Sequence, residues 1–165
     1  PAAVESVYAA SAPPGMRFIN DPENLSSSAR VLFLGEARTF YCRRDVVAAT
    51  VFDTQPIERL TRGVHTPDGF REALTRAGIT HLYVDTFELA RLQRSYRFSL
   101  GKREPWGMLD GFDWALFGEF ARQHLKPVWS QPASGVETFP WERWEEFLRL
   151  PDRERPGFRA LYELK

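Results

Sequence analysis

Cysteine is almost absent: Cys42 is the only one in 165 residues. An intrachain disulfide and a cysteine-built zinc site are therefore excluded. An excess of charge of either sign is missing too. Lys and Arg total 22, Asp and Glu total 22, and the net charge is zero. Without a basic excess, nucleic acid is not an expected partner, because such binding draws on bulk positive charge. No apolar run approaches the ~20 residues that a membrane helix needs. The longest runs, 31–34 and 46–52, have the length of strands. No basic stretch followed by an apolar one opens the chain, so no signal peptide is read there. His65, His81 and His124 lie far apart without ligand-like spacing, so no metal site is expected. Glycine-rich phosphate loops, a G-x-S-x-G elbow, H-E-x-x-H and Asp-x-Asp are all missing. No cofactor is expected, and the case for this domain being an enzyme by itself is weakened.

What remains is enough for a core. Aromatic residues make up 14% of the chain and apolar residues 43%, which excludes global disorder. The length suits one domain. Residues 1–15, rich in Ala, Pro and Ser, read as a linker or tether. Residues 16–165 read as a single α/β domain, with 96–156 partly unassigned.

Residues 16–25 suggest a short helix, with Pro22 inside it or at its first turn. The run RVLFL at 30–34 is apolar throughout and closed by Gly35. That is the pattern of a strand buried on both faces. VVAATVF at 46–52 predicts a second strand, and 56–62 one or two helical turns. Thr66 and Pro67 open a helix as cap and first residue. Phe70, Ala73, Leu74 and Ala77 give it an apolar face, and Gly78 ends it. HLYVD at 81–85 is a third strand, followed by a helix over 86–95. Residues 96–111 read as a loop or insertion. Residues 112–125 carry apolar side chains near helical spacing. KPVWS at 126–130 suggests a short strand, with Pro127 favouring an edge. Residues 140–150 suggest an amphipathic helix. FRALYEL at 158–164 alternates and closes the chain as a strand. These elements predict a three-layer, Rossmann-like, mostly parallel sheet with an antiparallel C-terminal edge strand.

Several polar residues fall where such a sheet binds ligands, beyond the carboxyl ends of its strands. Glu36 and Arg38 follow the first strand, with Tyr41 just beyond. They either grip a polar ligand, the arginine by a charge-assisted fork, or bond to neighbouring loops and shape the turn. Asp53, at the end of the second predicted strand, either shares that rim or caps the following turn. His81 and Asp85 share one face of a strand but stand about 13 Å apart. They cannot form a hydrogen-bonded pair; His81 reads as structural and Asp85 as the better site candidate. In 141–148, Trp144 with Phe147 and Leu148 either makes a core-facing stripe, or the face that also carries Trp141 touches a partner or membrane boundary. The aromatic and basic residues of 96–106 either form a solvated loop or contact sugars, phosphates or lipid head groups. Cys42 reads as a small packed apolar residue. Catalytic residues cannot be assigned.

Residues 29–53, ARVLFLGEARTFYCRRDVVAATVFD, and 70–85, ending G-I-T-H-L-Y-V-D, together carry a resemblance. They are similar to the C-terminal soluble region of bacterial multi-spanning membrane proteins. Those proteins resemble the dolichyl-phosphate-mannose–protein mannosyltransferase group, which moves sugars from polyprenyl-phosphate carriers. The matching positions are Gly35, Glu36, Ala37, Arg38, Tyr41, Asp53, Gly78, Thr80 and His81. Asp85 departs from the pattern, where Asn is common. The likeness covers roughly 16–95 and the last strand.

The resemblance implies a periplasmic place, tethered outside the bacterial cytoplasmic membrane. It implies a non-catalytic accessory domain of a glycosyltransferase-like protein. The partners implied are the membrane-embedded part of the same polypeptide and a glycan acceptor or polyprenyl-phosphate sugar donor. The catalytic carboxylate of such transferases lies in a loop between early membrane helices, outside this chain. Two other readings stay open. One is a protein-interaction module using the 141–148 face. The other is a free-standing α/β hydrolase or transferase using Glu36, Arg38, Asp53 and Asp85.

Overall fold

The computed structural model describes residues 11–50, 53–88, 112–132 and 157–165. Five strands occur there: β1 (Arg30–Leu34), β2 (Asp45–Val47), β3 (His81–Asp85), β4 (Leu125–Pro132) and β5 (Phe158–Leu164). The helices are α1 (Pro14–Asn20), α2 (Pro56–Leu60), α3 (Pro67–Arg76) and α4 (Trp114–His124). The strands form one open sheet in the order β2-β1-β3-β5-β4. All but β5 run in the same direction, so this mixed α/β sheet is mostly parallel.

Side chains alternate between the two faces of a strand. Leu32 and Leu34 of β1 join Val84, Phe70, Phe117 and Phe120 in one apolar cluster. Val31 and Phe33 join Tyr83, Met16 and Ile19 in another. Burial on both faces explains why the β1 run is apolar without interruption. Cys42 packs, half-buried, against the second cluster.

The α3 helix starts as its sequence dictates. Thr66 Oγ1 accepts a hydrogen bond from the Gly69 N–H at 3.1 Å, and Pro67 takes the first position. Its Phe70 ring stacks on Phe120 of α4, with centroids 4.4 Å apart. Gly78 then turns the chain at φ +74°, a conformation that costs other residues dearly. The β3 strand follows directly. Asp113 caps α4 by accepting from the Leu116 N–H at 2.9 Å.

Four expectations change. The first helix is Pro14–Asn20, not 16–25. Asp21 is extended, at φ −71° and ψ 120°, because the residue before a proline is driven from helical geometry. The second strand, expected at 46–52, is Asp45–Val47, since only three residues register against β1; 48–50 are not strand, and 51–52 lie outside the described residues. The C-terminal strand β5 is antiparallel, as expected, but it is not at the edge. It lies between β3 and β4, and the longer β4 takes the edge. Pro127, lacking a backbone donor, sits on that edge strand beside a shift in register. The helix expected over 112–125 spans Trp114–His124. Residues 86–88 are helical, and the rest of the helix expected there lies outside the described residues. The predicted loop at 96–111 and helix at 140–150, with Trp141 and Trp144, also lie outside them.

Candidate functional site: the carboxyl rim of β1 and β3

From β1 the chain turns to β2 on one side and then returns to β3 on the other. The β1/β3 boundary is therefore where strand order reverses, the usual ligand crevice of an open α/β sheet. Leu34 pairs with Val84, so Gly35 and Asp85 stand level at that crevice.

Gly35, at φ +88°, bends the chain sharply after β1. The Glu36 side chain is wholly buried behind it. Glu36 Oε1 accepts from Arg38 Nε and from the Arg38 backbone N–H, both at 2.8 Å. Its Oε2 accepts from Arg38 Nη2 at 2.6 Å. The two residues thus make a closed fork within one turn. Bonding to Glu36 pushes the Arg38 guanidinium above its ordinary pKa, against the opposing effect of burial.

Asp85 is also wholly buried. Its Oδ2 accepts from Arg159 Nε at 2.7 Å, and its Oδ1 from the Glu88 N–H at 2.9 Å. Arg159 stands directly opposite Asp85 in the β3/β5 ladder. Its guanidinium carbon lies 4.8 Å from the centre of the Phe87 ring, a cation–π contact. Burial pushes the Asp85 carboxyl up, and the Glu36 charge adds to this; the Glu88 N–H and Arg159 pull it back. Next to Asp85, Thr86 Oγ1 accepts from the Phe158 N–H at 2.8 Å and bonds its carbonyl at 3.0 Å. That pins the end of β3 to β5.

Tyr83 precedes Asp85 by two residues on the same face. Its hydroxyl is buried with no hydrogen-bond partner among the described residues. Burial, helped by Asp85, pushes the phenol well above its ordinary range.

The rim therefore unites Glu36, Arg38 and Asp85, three of the residues expected there. It adds Arg159, which sequence reasoning missed. The signal lay in pairing: once 158–164 is laid antiparallel against 81–85, Arg159 falls opposite Asp85. Two buried carboxylates meet two arginines here, the Glu88 charge also acts on Arg38, and each buried carboxylate is already engaged on both oxygens.

Asp53 and Tyr41 serve elsewhere. Asp53 is exposed, well beyond the end of β2, and Oδ2 accepts from Thr50 Oγ1 at 2.7 Å and from the Thr50 N–H at 3.2 Å. Those bonds pull its carboxyl below the usual range, and it closes the turn before it rather than the one after. Tyr41 ends a single 3₁₀ turn, Thr39–Tyr41. With Phe40 it lines a groove of about 320 Å³ against α1.

His81 lies at the opposite end of β3, where its Nδ1 is 2.8 Å from Thr80 Oγ1. Burial pulls its pKa below the ordinary value. Thr80 Oγ1 also accepts from the Arg30 N–H at 3.0 Å and contacts the Arg30 carbonyl at 3.1 Å, joining the starts of β1 and β3. Burial likewise pushes the Cys42 thiol up, away from reactivity.

Among the described residues, no group of three or more His, Cys, Asp or Glu side chains could hold a metal ion. No helix among them is long and apolar enough to cross a membrane. No protein-family model matches the chain, and no curated protein or solved structure matches it significantly.

Proposed function

We propose that this chain is a non-catalytic, extracytoplasmic accessory domain of a membrane glycosyltransferase-like protein. Its fold is read as a Rossmann-like three-layer arrangement. That is supported by apolar clusters containing alternate residues of the same strands, one joined by α3 and α4 and the other by α1.

One observation carries the functional reading: six of the residues that make up the sequence resemblance do architectural work. Gly35 bends the chain, Glu36 and Arg38 close on each other, and Gly78 turns α3 into β3. Thr80 fastens β1 to β3, and His81 bonds Thr80. A general acid or base needs a carboxyl that can exchange protons with a substrate. Glu36 and Asp85 have their oxygens on N–H donors instead. This favours an accessory domain over a free-standing hydrolase or transferase built on Glu36, Arg38, Asp53 and Asp85. The partners in this reading are the membrane-embedded part of the same polypeptide and a glycan or lipid-linked sugar. The location is the periplasmic side of the cytoplasmic membrane.

The test is the gene upstream of Pro1. About eight or more apolar stretches of ~20 residues are expected there. Finding none would overturn the proposal and return the rim to consideration as a soluble catalytic site.

A further inference from the structure

We draw no further inference here: the strongest candidate, the groove between α1 and the Thr39–Tyr41 turn with the exposed Phe40 on its wall, carries nothing, because Arg17 and Asp21 offset each other, Arg43 already has a partner and nothing in the structure shows what covers it.

Discussion

Arginine–carboxylate pairs mark both ends of the parallel strands β1 and β3, and the two ends differ in burial. At the amino end, Arg30 meets Asp45 at 3.1 Å with side chains 42% and 64% exposed. At the carboxyl end, Glu36 and Asp85 are wholly buried and meet Arg38 and Arg159 at 2.6 and 2.7 Å. At each end one pair follows from register: Arg30 faces Asp45 as Asp85 faces Arg159. Water screens the first kind of pair, which contributes little. In the second, each carboxylate has left water and depends on its partner, so breaking the pair strands a charge. Burial, rather than the number of ion pairs, decides where this fold is vulnerable.

The sharpest way to break that contrast is Arg159→Met. It leaves the Asp85 carboxylate buried without its cation and is expected to cost about 3–5 kcal/mol at neutral pH. The pH dependence has a definite sign. Asp85 holds its proton more tightly folded than unfolded, so its contribution falls as pH rises from about 4 through its raised value. Without Arg159 that pKa rises further, and the deficit shrinks in acid. Urea unfolding at pH 7 and pH 4 measures both effects. A loss under ~1 kcal/mol would put the rim on a par with the exposed pair.

Glu36→Gln should cost less, about 1.5–3 kcal/mol, the range for hydrogen bonds to a charged group. It keeps the shape of the side chain, and Arg38, partly exposed, can turn to water. Thermal unfolding suffices as the readout.

At the amino end, His81→Gln should alter a slope more than a midpoint. The lowered pKa of His81 means that its contribution is intact above about pH 6.5 and is lost as pH falls through the folded value. The variant should lose less stability than the parent between pH 7 and pH 5. An unchanged slope would remove His81 from the account.

The smallest effect is expected from Asp45→Asn. It should change stability by less than ~1 kcal/mol, and what it does change should fade with added salt. A cost of 3 kcal/mol or more would erase the difference between the two ends.

Much of the architecture was legible. The apolar runs at β1 and β3 and the alternation of β5 mark strands, and they span the residues expected. The Thr66 cap and the Gly78 stop are local chemistry, with Oγ1 reaching the third residue and a glycine taking positive φ. The candidate site was legible only in part. Glu36, Arg38 and Asp85 meet at the rim, while Asp53 bonds Thr50 and Tyr41 faces a separate groove. Asp53 was misplaced because β-branched composition overstated the length of β2, which pairs only where β1 lies beside it.

Local contacts were thus readable in the amino-acid order: strand periodicity, caps, turns and the Glu36–Arg38 fork two residues apart. These act over a few residues, and spacing along the chain sets their geometry. The place of β5 between β3 and β4, the Asp85–Arg159 pair and the groove walled by α1 were decided only by tertiary structure. Asp85 and Arg159 are 74 residues apart, and Asn20 and Tyr41 are 21 apart. What joins them is strand register and packing, which arise when distant segments bury their apolar faces together.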